Sequence, residues 1–328
     1  MRILFIGGTG IISSACSQLA LERGYELYLL NRGQSSRPSP AGAKILHGDV
    51  RDPASVQAAL GDLTFDVVVN WVAFTPQHIE TDLELFRGRT RQYVFISSAS
   101  AYQKPIGHLP ITESTPLHNP FWKYSRDKIA CEERVTQAYH EDGFPITIVR
   151  PSHTYDQTLL PMDGGYTVVD RMRRGQPVIV HGDGTSLWTL THHRDFAVGF
   201  VGLLGRAQVI GDAVQITGDE WLTWNQIFGE VARAAGTTAE IVHVPSEVIA
   251  TFDPEWGAGL LGDKSHSVIF DNTKLKRLVP DYRANIPFAR GIEEVMAWYD
   301  ADPARQVINP ELNRTMDAII EQVQRVRP

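Results

Sequence analysis

The sequence predicts an α/β fold in which a doubly wound parallel sheet is followed by a smaller C-terminal α/β sub-domain. The first observation behind this prediction is that short apolar runs alternate with helical patterns through the first half of the 328 residues. That alternation is typical of a parallel sheet covered by helices on both faces. The second is that a glycine-rich turn, GGTGIIS, stands between the first apolar run and the first helical pattern.

The first half supplies the main sheet. Strands are expected where short apolar runs occur, at residues 2–7, 26–31, 43–49, 66–73, 92–98 and 145–151. Helices are expected between them at residues 13–24, 53–60, 76–86 and 121–142. We therefore expect residues 1–165 to form one domain built on this sheet.

The second half is less regular. Helices are expected at residues 166–175, 194–205 and 223–236 and from about residue 310, with a strand and turn at 177–184. Proline and glycine are scattered through residues 151–190, which indicates that the chain crosses between sub-domains there. We expect residues 166–328 to form mainly a substrate-binding sub-domain, with 187–218 returning to the first domain.

Composition excludes several classes of protein. The formal net charge is −7, which argues against nucleic-acid binding through phosphates. The basic clusters at residues 87–91 and 171–175 are short and are interpreted as solvated helix ends. Cys16 and Cys131 lie in separate helical patterns, and no window is long and apolar enough to span a membrane. A soluble cytoplasmic protein is expected.

The glycine turn predicts a dinucleotide site and a Rossmann-type sheet. Glycines let the backbone approach a pyrophosphate, whose charge is met by free N–H groups at the helix N-terminus. The spacing leaves Ser13 where a third glycine usually stands, and Ser13 is small enough to keep the helix close to the strand. The residues expected to contact the cofactor here are Gly7, Thr9, Gly10, Ile11 and Ile12.

The end of the second strand predicts which dinucleotide binds. An NAD site usually has a carboxylate there for the ribose hydroxyls, whereas this chain has Asn31 followed by Arg32. A neutral residue followed by arginine suits a 2′-phosphate. Arg37 is a second candidate for that phosphate. NADP is therefore favoured over NAD.

Tyr124 and Lys128 stand four positions apart in the predicted helix 121–142. Positions i and i+4 share a helix face, so both side chains can meet one ligand. Moving a tyrosine pKa from about 10 to about 7 costs roughly 4 kcal/mol, and one ammonium about 4 Å away supplies about that much. We expect Lys128 to lower the pKa of Tyr124 in this way, the alternative being an ordinary surface pair.

From residue 1 to about 300 the chain resembles the extended short-chain dehydrogenase/reductases, in their nucleotide-sugar epimerase and dehydratase branch. The resemblance rests on GGTGIIS, Gly48-Asp49, FISSASAY, YSRDK and GDGTS. It implies a catalytic group of Tyr124, Lys128 and Ser98, with Ser97 and Ser100 as competitors of Ser98. It also implies cofactor contacts at Asp49, Val50, Ala73, Ser97, Lys128, Pro151 and His153.

The chain departs from that family at its substrate positions. Ala99 and Ser100 replace the acidic pair of the dehydratases, and His153 replaces an asparagine that grips substrate. Trp188 stands where an arginine clamps the substrate diphosphate, and a tryptophan cannot pair a diphosphate. The substrate is therefore expected to lack a nucleotide diphosphate. The substrate-binding candidates are Ser100, His153, Tyr155 and Trp188, with core packing as an alternative role for Trp188.

The function expected is that of an NAD(P)-dependent oxidoreductase or epimerase acting on a hydroxyl or keto group of a sugar, nucleotide-sugar or sugar-like small molecule. Two alternatives are a non-catalytic NADP-sensing regulator and an RNA-binding relative of the family. No metal site is expected at His192 and His193, because neighbouring strand residues point to opposite faces.

The resemblance also implies a homodimer through the helices at residues 77–87 and 121–142. Apolar stripes on these helices are compatible with it, namely Ile79, Leu83 and Phe86 on the first and Ile129, Val135 and Ala138 on the second. The alternative is that the stripes pack on the chain's own sheet.

Overall fold

The computed structural model describes residues 1–326. Its strands are β1 (Arg2–Ile6), β2 (Glu26–Asn31), β3 (Lys44–His47), β4 (Phe65–Asn70), β5 (Thr90–Ile96), β6 (Ile146–Pro151), β7 (His153–Tyr155), β8 (Val178–His181), β9 (Leu187–Trp188), β10 (Leu190–His192), β11 (Asp212–Ile216), β12 (Leu222–Thr223) and β13 (Ile241–Val244). Its helices are α1 (Ile11–Glu22), α2 (Pro53–Leu60), α3 (Pro76–Phe86), α4 (Lys123–Asp142), α5 (Tyr166–Arg173), α6 (His193–Leu203), α7 (Trp224–Ala234), α8 (Ser246–Phe252), α9 (Pro254–Gly259), α10 (Thr273–Leu278), α11 (Phe288–Asp300) and α12 (Pro310–Val326).

The main sheet confirms the predicted doubly wound fold. Seven strands lie in the order β11-β6-β5-β4-β1-β2-β3, and every neighbouring pair is parallel. The chain runs outward from β1 to β3 on one side and from β4 to β6 on the other, so the order reverses between β1 and β4. In such sheets ligands bind at that reversal, beyond the carboxyl ends of the strands.

Both faces of the sheet are covered by helices. Ile3 and Phe5 of β1 pack into the core shared with α1, α6 and α10. Leu4 and Ile6 point the other way, into the core shared with α2, α3 and α4. This alternation follows from the two-residue period of a strand, and it explains why the buried strands are apolar throughout rather than alternating with polar residues.

The apolar stripes considered for a dimer lie inside the protomer. Ile79, Leu83 and Phe86 of α3 are at most 2% exposed and belong to the core of the chain's own sheet. Val135 and Ala138 of α4 are fully buried in the same core. Ile129, the remaining stripe residue, is half-buried and is not part of that core. Five of the six stripe residues therefore pack on the chain's own sheet, and the homodimer stays a prediction.

A third core holds the remainder of the chain together. It joins α5, α7, α8, α11 and α12 with three two-stranded sheets, β10-β7, β12-β9 and β13-β8. Residues 193–216 supply α6 and β11 to the main sheet, and α10 later returns to the same layers. This third core meets the main sheet along the carboxyl ends of its strands, where the candidate site lies.

Candidate active site

The turn after β1 can be made only by glycine at two positions. Gly7 and Gly8 have φ values of +96° and +100°, in the left-handed region that other residues avoid. A Cβ on Gly8 would lie 2.7 Å from the Leu29 side chain. Ser13 takes the position of the usual third glycine, and its Oγ accepts the Gly10 N–H at 2.7 Å. The turn therefore leads into α1 with its first N–H groups directed beyond the sheet, as phosphate binding requires.

A cleft of about 390 Å³ lies at the ends of β2 and β3. Of the residues predicted to contact the cofactor, it brings together Gly7, Asn31, Arg32, Asp49 and Val50. The Arg32 guanidinium is 59% exposed and lies 3.8 Å from the Asp49 carboxylate. We call this cavity the Arg32 cleft.

Two other arginines near the Arg32 cleft have roles that the sequence did not predict. Arg37, the second candidate for a 2′-phosphate, is paired with Asp156 and donates to Thr158, so it is not free for a ligand. Arg51, which the sequence analysis missed, lines the Arg32 cleft and donates to the Val72 carbonyl. Its only sequence signal is its place two residues after Asp49.

A second cavity, of about 350 Å³, holds the predicted catalytic group. We call it the central cavity, and its lining includes Ile12, Ser97, Ser98, Ser100, Tyr124, Lys128, Pro151, His153 and Trp188. Tyr124 and Lys128 enter it together because they lie on one face of the first turns of α4. Ala73 does not line it, but its carbonyl accepts a hydrogen bond from Lys128 Nζ at 2.7 Å.

Lys128 is fixed by the backbone of two strand ends. Besides Ala73, its Nζ donates to the Ile96 carbonyl at 2.8 Å, and the residue is 2% exposed. The ammonium lies 5.8 Å from the centre of the Tyr124 ring. Burial lowers the pKa of Lys128 to about 8, because an ammonium loses hydration inside the protein.

The predicted low pKa of Tyr124 is wrong for the chain without ligands. Burial raises the pKa of Tyr124 to about 12, and the Ser98 hydroxyl only partly offsets that rise. The physical reason is that removing the phenolate from water outweighs the attraction of an ammonium that is itself buried and held by carbonyls.

Three serine hydroxyls form a chain beneath the central cavity. Ser125 donates to Ser100 Oγ at 2.8 Å, and Ser100 Oγ lies 2.9 Å from Ser98 Oγ. The Ser100 backbone N–H also donates to Ser98 Oγ, at 3.1 Å. Either hydroxyl of the Ser98–Ser100 pair can donate to the other. When Ser100 donates, the Ser98 hydrogen is left to point at a substrate oxygen. Ser125 was missed because only its position after Tyr124 marks it.

Asn119 joins three parts of the site and was also missed. Its side chain donates to the Ser100 carbonyl at 3.0 Å and to the Gly262 carbonyl at 2.7 Å. Its Oδ1 accepts the N–H groups of Phe121 and Trp122, which lead into α4. A single buried amide thereby fixes the position of α4 relative to the serines.

His153 and Trp188 are hydrogen-bonded to each other in the wall of the central cavity. The indole N–H of Trp188 donates to Nδ1 of His153 at 3.1 Å. Burial, aided by Lys264, lowers the pKa of His153 to about 3. The imidazole is therefore neutral and carries its proton on Nε2, where it can donate to a substrate.

Tyr155 does not reach the central cavity, contrary to its place among the substrate candidates. It is 1% exposed, and its ring packs edge-on against His192 and Phe288. Its hydroxyl occupies space left by Gly291, where a Cβ would lie only 2.0 Å away. The core between β7 and α11 thus takes a side chain that the sequence analysis assigned to a ligand.

The adjacent histidines at 192 and 193 are neutral groups at the start of α6. Burial lowers the pKa of His192 to about 3 and that of His193 to about 4. Within residues 1–326 no three His, Cys, Asp or Glu side chains are grouped as a metal site. In the same residues no helix is long and apolar enough to cross a membrane.

A π-helical turn at Leu260–Lys264 contributes residues that the sequence analysis did not identify. Asp263 and Lys264 line the central cavity, although they follow Tyr124 by more than a hundred residues. Gly262 lets this turn touch α4, since a Cβ there would lie 2.6 Å from the Trp122 Cβ. This turn thereby supplies the wall of the cavity that Tyr124 shares with Asp263 and Lys264.

The chain is similar in sequence to known proteins. A model of the NAD dependent epimerase/dehydratase family matches residues 3–216. The chain is 29% identical over 262 residues, 74% of its length and 65% of the relative's, to the chloroplast stem-loop binding protein of 41 kDa b from Arabidopsis thaliana. It is 24% identical over 310 residues to 2'-dehydrokanamycin reductase from Streptomyces kanamyceticus, covering 91% of this chain and 84% of that one.

The fold also matches a solved structure. The UDP-glucose 4-epimerase from Bifidobacterium longum, in complex with NAD⁺ and UDP, superimposes with a TM-score of 0.74 at 18% identity. The match covers 92% of this chain and 99% of that chain.

Proposed function

The chain belongs to the NAD dependent epimerase/dehydratase family, and on that premise we propose that it is an NAD(P)-dependent oxidoreductase or epimerase acting on a hydroxyl or keto group of a sugar-like substrate. One observation carries the proposal. Tyr124, Lys128 and Ser98 line a single cavity that Ile12, from the start of α1, also lines. A proton carrier thus lies beside the turn that suits a dinucleotide.

The residues present fit a dinucleotide. The turn at Gly7 and Gly8 leaves room for a backbone approach, and the Arg32 cleft continues from it. Ser97 Oγ is buried and has no hydrogen-bond partner within residues 1–326, yet it lines the central cavity. A buried hydroxyl without a partner is costly unless a ligand satisfies it.

The proposed chemistry divides among three side chains. Tyr124 gives its proton to, or takes it from, the substrate oxygen, and Ser98 donates a hydrogen bond to that oxygen. Lys128 supplies positive charge behind the phenol. When bound, the dinucleotide supplies the hydride donor or acceptor, and its oxidised nicotinamide adds a positive charge.

NADP is the proposed cofactor. The Arg32 cleft presents the guanidinium groups of Arg32 and Arg51, and guanidinium groups suit a phosphate. Asp49 is the one carboxylate lining it among the described residues, and Arg32 lies 3.8 Å away.

The experiment that tests the function is turnover on a panel of compounds. The purified chain is mixed with NADP⁺ and a set of polyols, cyclitols, free sugars and UDP-glucose, and the reduced nicotinamide is followed by absorbance. Mass spectrometry of the cofactor that copurifies supports this assay. Hydride transfer with at least one hydroxylated compound supports the proposal, and none with any compound in either direction contradicts it.

Two alternatives have their own tests. The Arabidopsis relative is named as a stem-loop binding protein, but the net charge of −7 and the Tyr124–Lys128 pair favour an enzyme here. Titration with labelled RNA at physiological salt distinguishes the two. An NADP-sensing regulator would bind cofactor without turnover, and it would have no need of the Tyr124–Lys128 pair.

We further propose a cytoplasmic location, predicted from the two separate cysteines, and a homodimer, predicted from the family resemblance.

A further inference from the structure

One carboxylate lies in the central cavity with the catalytic group. Asp263 belongs to the π-helical turn Leu260–Lys264, and its side chain is 17% exposed. The turn is held at its middle and at its C-terminal end: Asn119 donates to the Gly262 carbonyl, and Trp224 Nε1 donates to the Lys264 carbonyl at 3.2 Å. Asp263 is therefore presented to the cavity by a fixed backbone rather than by a mobile loop.

A buried lysine holds Asp263 from behind. The Lys104 side chain is 0% exposed, and its Nζ lies 3.3 Å from Asp263 Oδ1. Within residues 1–326, Lys104 Nζ makes no hydrogen bond and Oδ2 of Asp263 accepts none. Burying an ammonium is costly unless it is paired with a carboxylate. The ion pair of Lys104 with Oδ1 leaves Oδ2 of Asp263 as an acceptor for a ligand.

The central cavity lacks the means to hold a diphosphate. No arginine among the described residues lines it. Its two lysines are engaged, Lys128 with backbone carbonyls and Lys264 with the Asp163 carboxylate at 3.5 Å. Trp188 and His153 are bonded to each other and carry no charge.

An adjoining cavity of about 640 Å³ extends the site and shares Trp122 and Lys264 as walls. It adds the carboxylates of Asp163, Asp253, Glu255 and Glu311 and the indole of Trp256. The two cavities are thus lined by five carboxylates and two ammonium groups, with Lys104 as a third behind the wall. The surplus negative charge favours a cation, and indole rings stack on the apolar faces of sugar rings or on cations.

We propose that Asp263 binds an amino group of the substrate and that the two cavities take an amino-substituted saccharide or cyclitol rather than a nucleoside diphosphate sugar. This inference rests on the proposed function, because it assigns the substrate class of the same site. Asp263 contacts the substrate, and Lys104 positions the Asp263 carboxylate.

The test measures binding, so that it does not depend on turnover. Calorimetry on the NADP⁺-loaded chain compares the disaccharide of two glucosamines with cellobiose, its hydroxyl counterpart, and with UDP-glucose. A hydrogen bond between a carboxylate and an ammonium is stronger than one between a carboxylate and a neutral hydroxyl. The amino disaccharide should therefore bind at least about tenfold tighter than cellobiose, and UDP-glucose should bind weakest.

Asp263→Asn isolates the carboxylate while keeping its shape. It should weaken the amino disaccharide about tenfold and change cellobiose less than twofold, with cofactor affinity unchanged. Asp281→Asn is the matched control, since Asp281 is exposed and lines neither cavity, and it should change nothing.

Equal affinity for the two disaccharides, tightest binding of UDP-glucose, or an equal loss of both disaccharides in Asp263→Asn would overturn the inference. Amine-selective binding without hydride transfer would instead leave this inference standing and count against the proposed function. Turnover that occurs only on neutral sugars would support the proposed function and count against this inference.

Discussion

At the scale of single residues, burial decides the chemistry of the site. Tyr124 has a pKa of about 12 and Lys128 one of about 8, each shifted toward its neutral form. The i, i+4 spacing correctly predicts that the two side chains share a cavity, because helix geometry alone fixes that. The size and sign of the pKa shifts depend on how much water the surrounding chain excludes. The spacing of two residues carries no information about that burial.

We expect the hydroxyls of Ser125 and Ser100 to orient the hydroxyl of Ser98. Ser125→Ala removes the hydroxyl that donates to Ser100, so the Ser100 and Ser98 hydrogens are no longer directed toward the cavity. We expect kcat to fall about tenfold, with KM and cofactor affinity unchanged. Steady-state kinetics of Ser125→Ala, Ser100→Ala and the double variant check this.

The double variant supplies the control for the serine chain. If the hydroxyls act in series, the double variant loses no more activity than Ser100→Ala alone. Losses that multiply would show that Ser125 acts elsewhere.

We expect Arg32 to determine the preference for NADP over NAD. Arg32→Ala should weaken NADP at least tenfold and NAD less than twofold, because only NADP has the 2′-phosphate that a guanidinium can pair. Fluorescence titration of both cofactors measures this. Arg37→Ala is the matched control, since Arg37 is already paired with Asp156; a similar loss for both cofactors in Arg32→Ala would refute the assignment.

Residues that meet only through the tertiary fold could not be predicted. Asp263 comes from a turn whose place is set by Gly262 against Trp122, and no local pattern marks that contact. Tyr155 looked like a ligand-binding residue because it follows His153 on a strand end. The space at Gly291 accepts its ring instead, and a single sequence does not reveal that pairing.

At the scale of elements, α3 is attached to the sheet through a buried polar network. Tyr93 of β5 and Asn70 at the end of β4 both donate to Oδ2 of Asp82. Asp82 is 1% exposed, and burial raises its pKa to about 6. The folded chain therefore binds this proton more tightly than the unfolded chain does.

The Asp82 network predicts a pH dependence of stability. A carboxyl whose folded pKa is raised contributes most below its unfolded pKa, near 4, and the contribution is lost as pH rises through about 6. The free energy of unfolding of the wild type should fall by roughly 2–3 kcal/mol across that window from this group. In Asp82→Asn the fall should be absent, because the amide oxygen still accepts both bonds and carries no charge.

Urea denaturation at several pH values between about 4 and 8 measures the difference between variant and wild type. Glu84→Gln is the control on the same helix, since Glu84 is exposed. Parallel pH curves for wild type and Asp82→Asn would contradict the assignment of the shift to Asp82.

The elements themselves were largely predictable in the first half of the chain. Strands such as Glu26–Asn31 and helices such as Pro53–Leu60 appear where expected, because buried parallel strands and capped helices carry strong local patterns. The second half contains strands of two or three residues and the π-helical turn. Such short elements are stabilised by packing rather than by local preference, so the sequence does not mark them.

At the scale of the whole molecule, the oligomeric state stays a prediction that rests on the family resemblance. The outer surface between α3 and α4 carries the Arg134–Glu80 ion pair, and every stripe residue except Ile129 belongs to the core of the chain's own sheet. A homodimer through these helices predicts about twice the 36.6 kDa chain mass by light scattering at micromolar concentration. A clean mass near 36.6 kDa would refute it.

The proposed function depends above all on Tyr124 carrying the proton in a hydride transfer at the central cavity. Its most direct test is the rate of nicotinamide reduction by Tyr124→Phe with the best compound of the panel, beside Tyr139→Phe, which changes another tyrosine of α4 that does not line the cavity. We expect Tyr124→Phe to be slower by at least about a hundredfold and to bind cofactor as the wild type does, and we expect Tyr139→Phe to be unchanged. Turnover of Tyr124→Phe within tenfold of the wild type would contradict it.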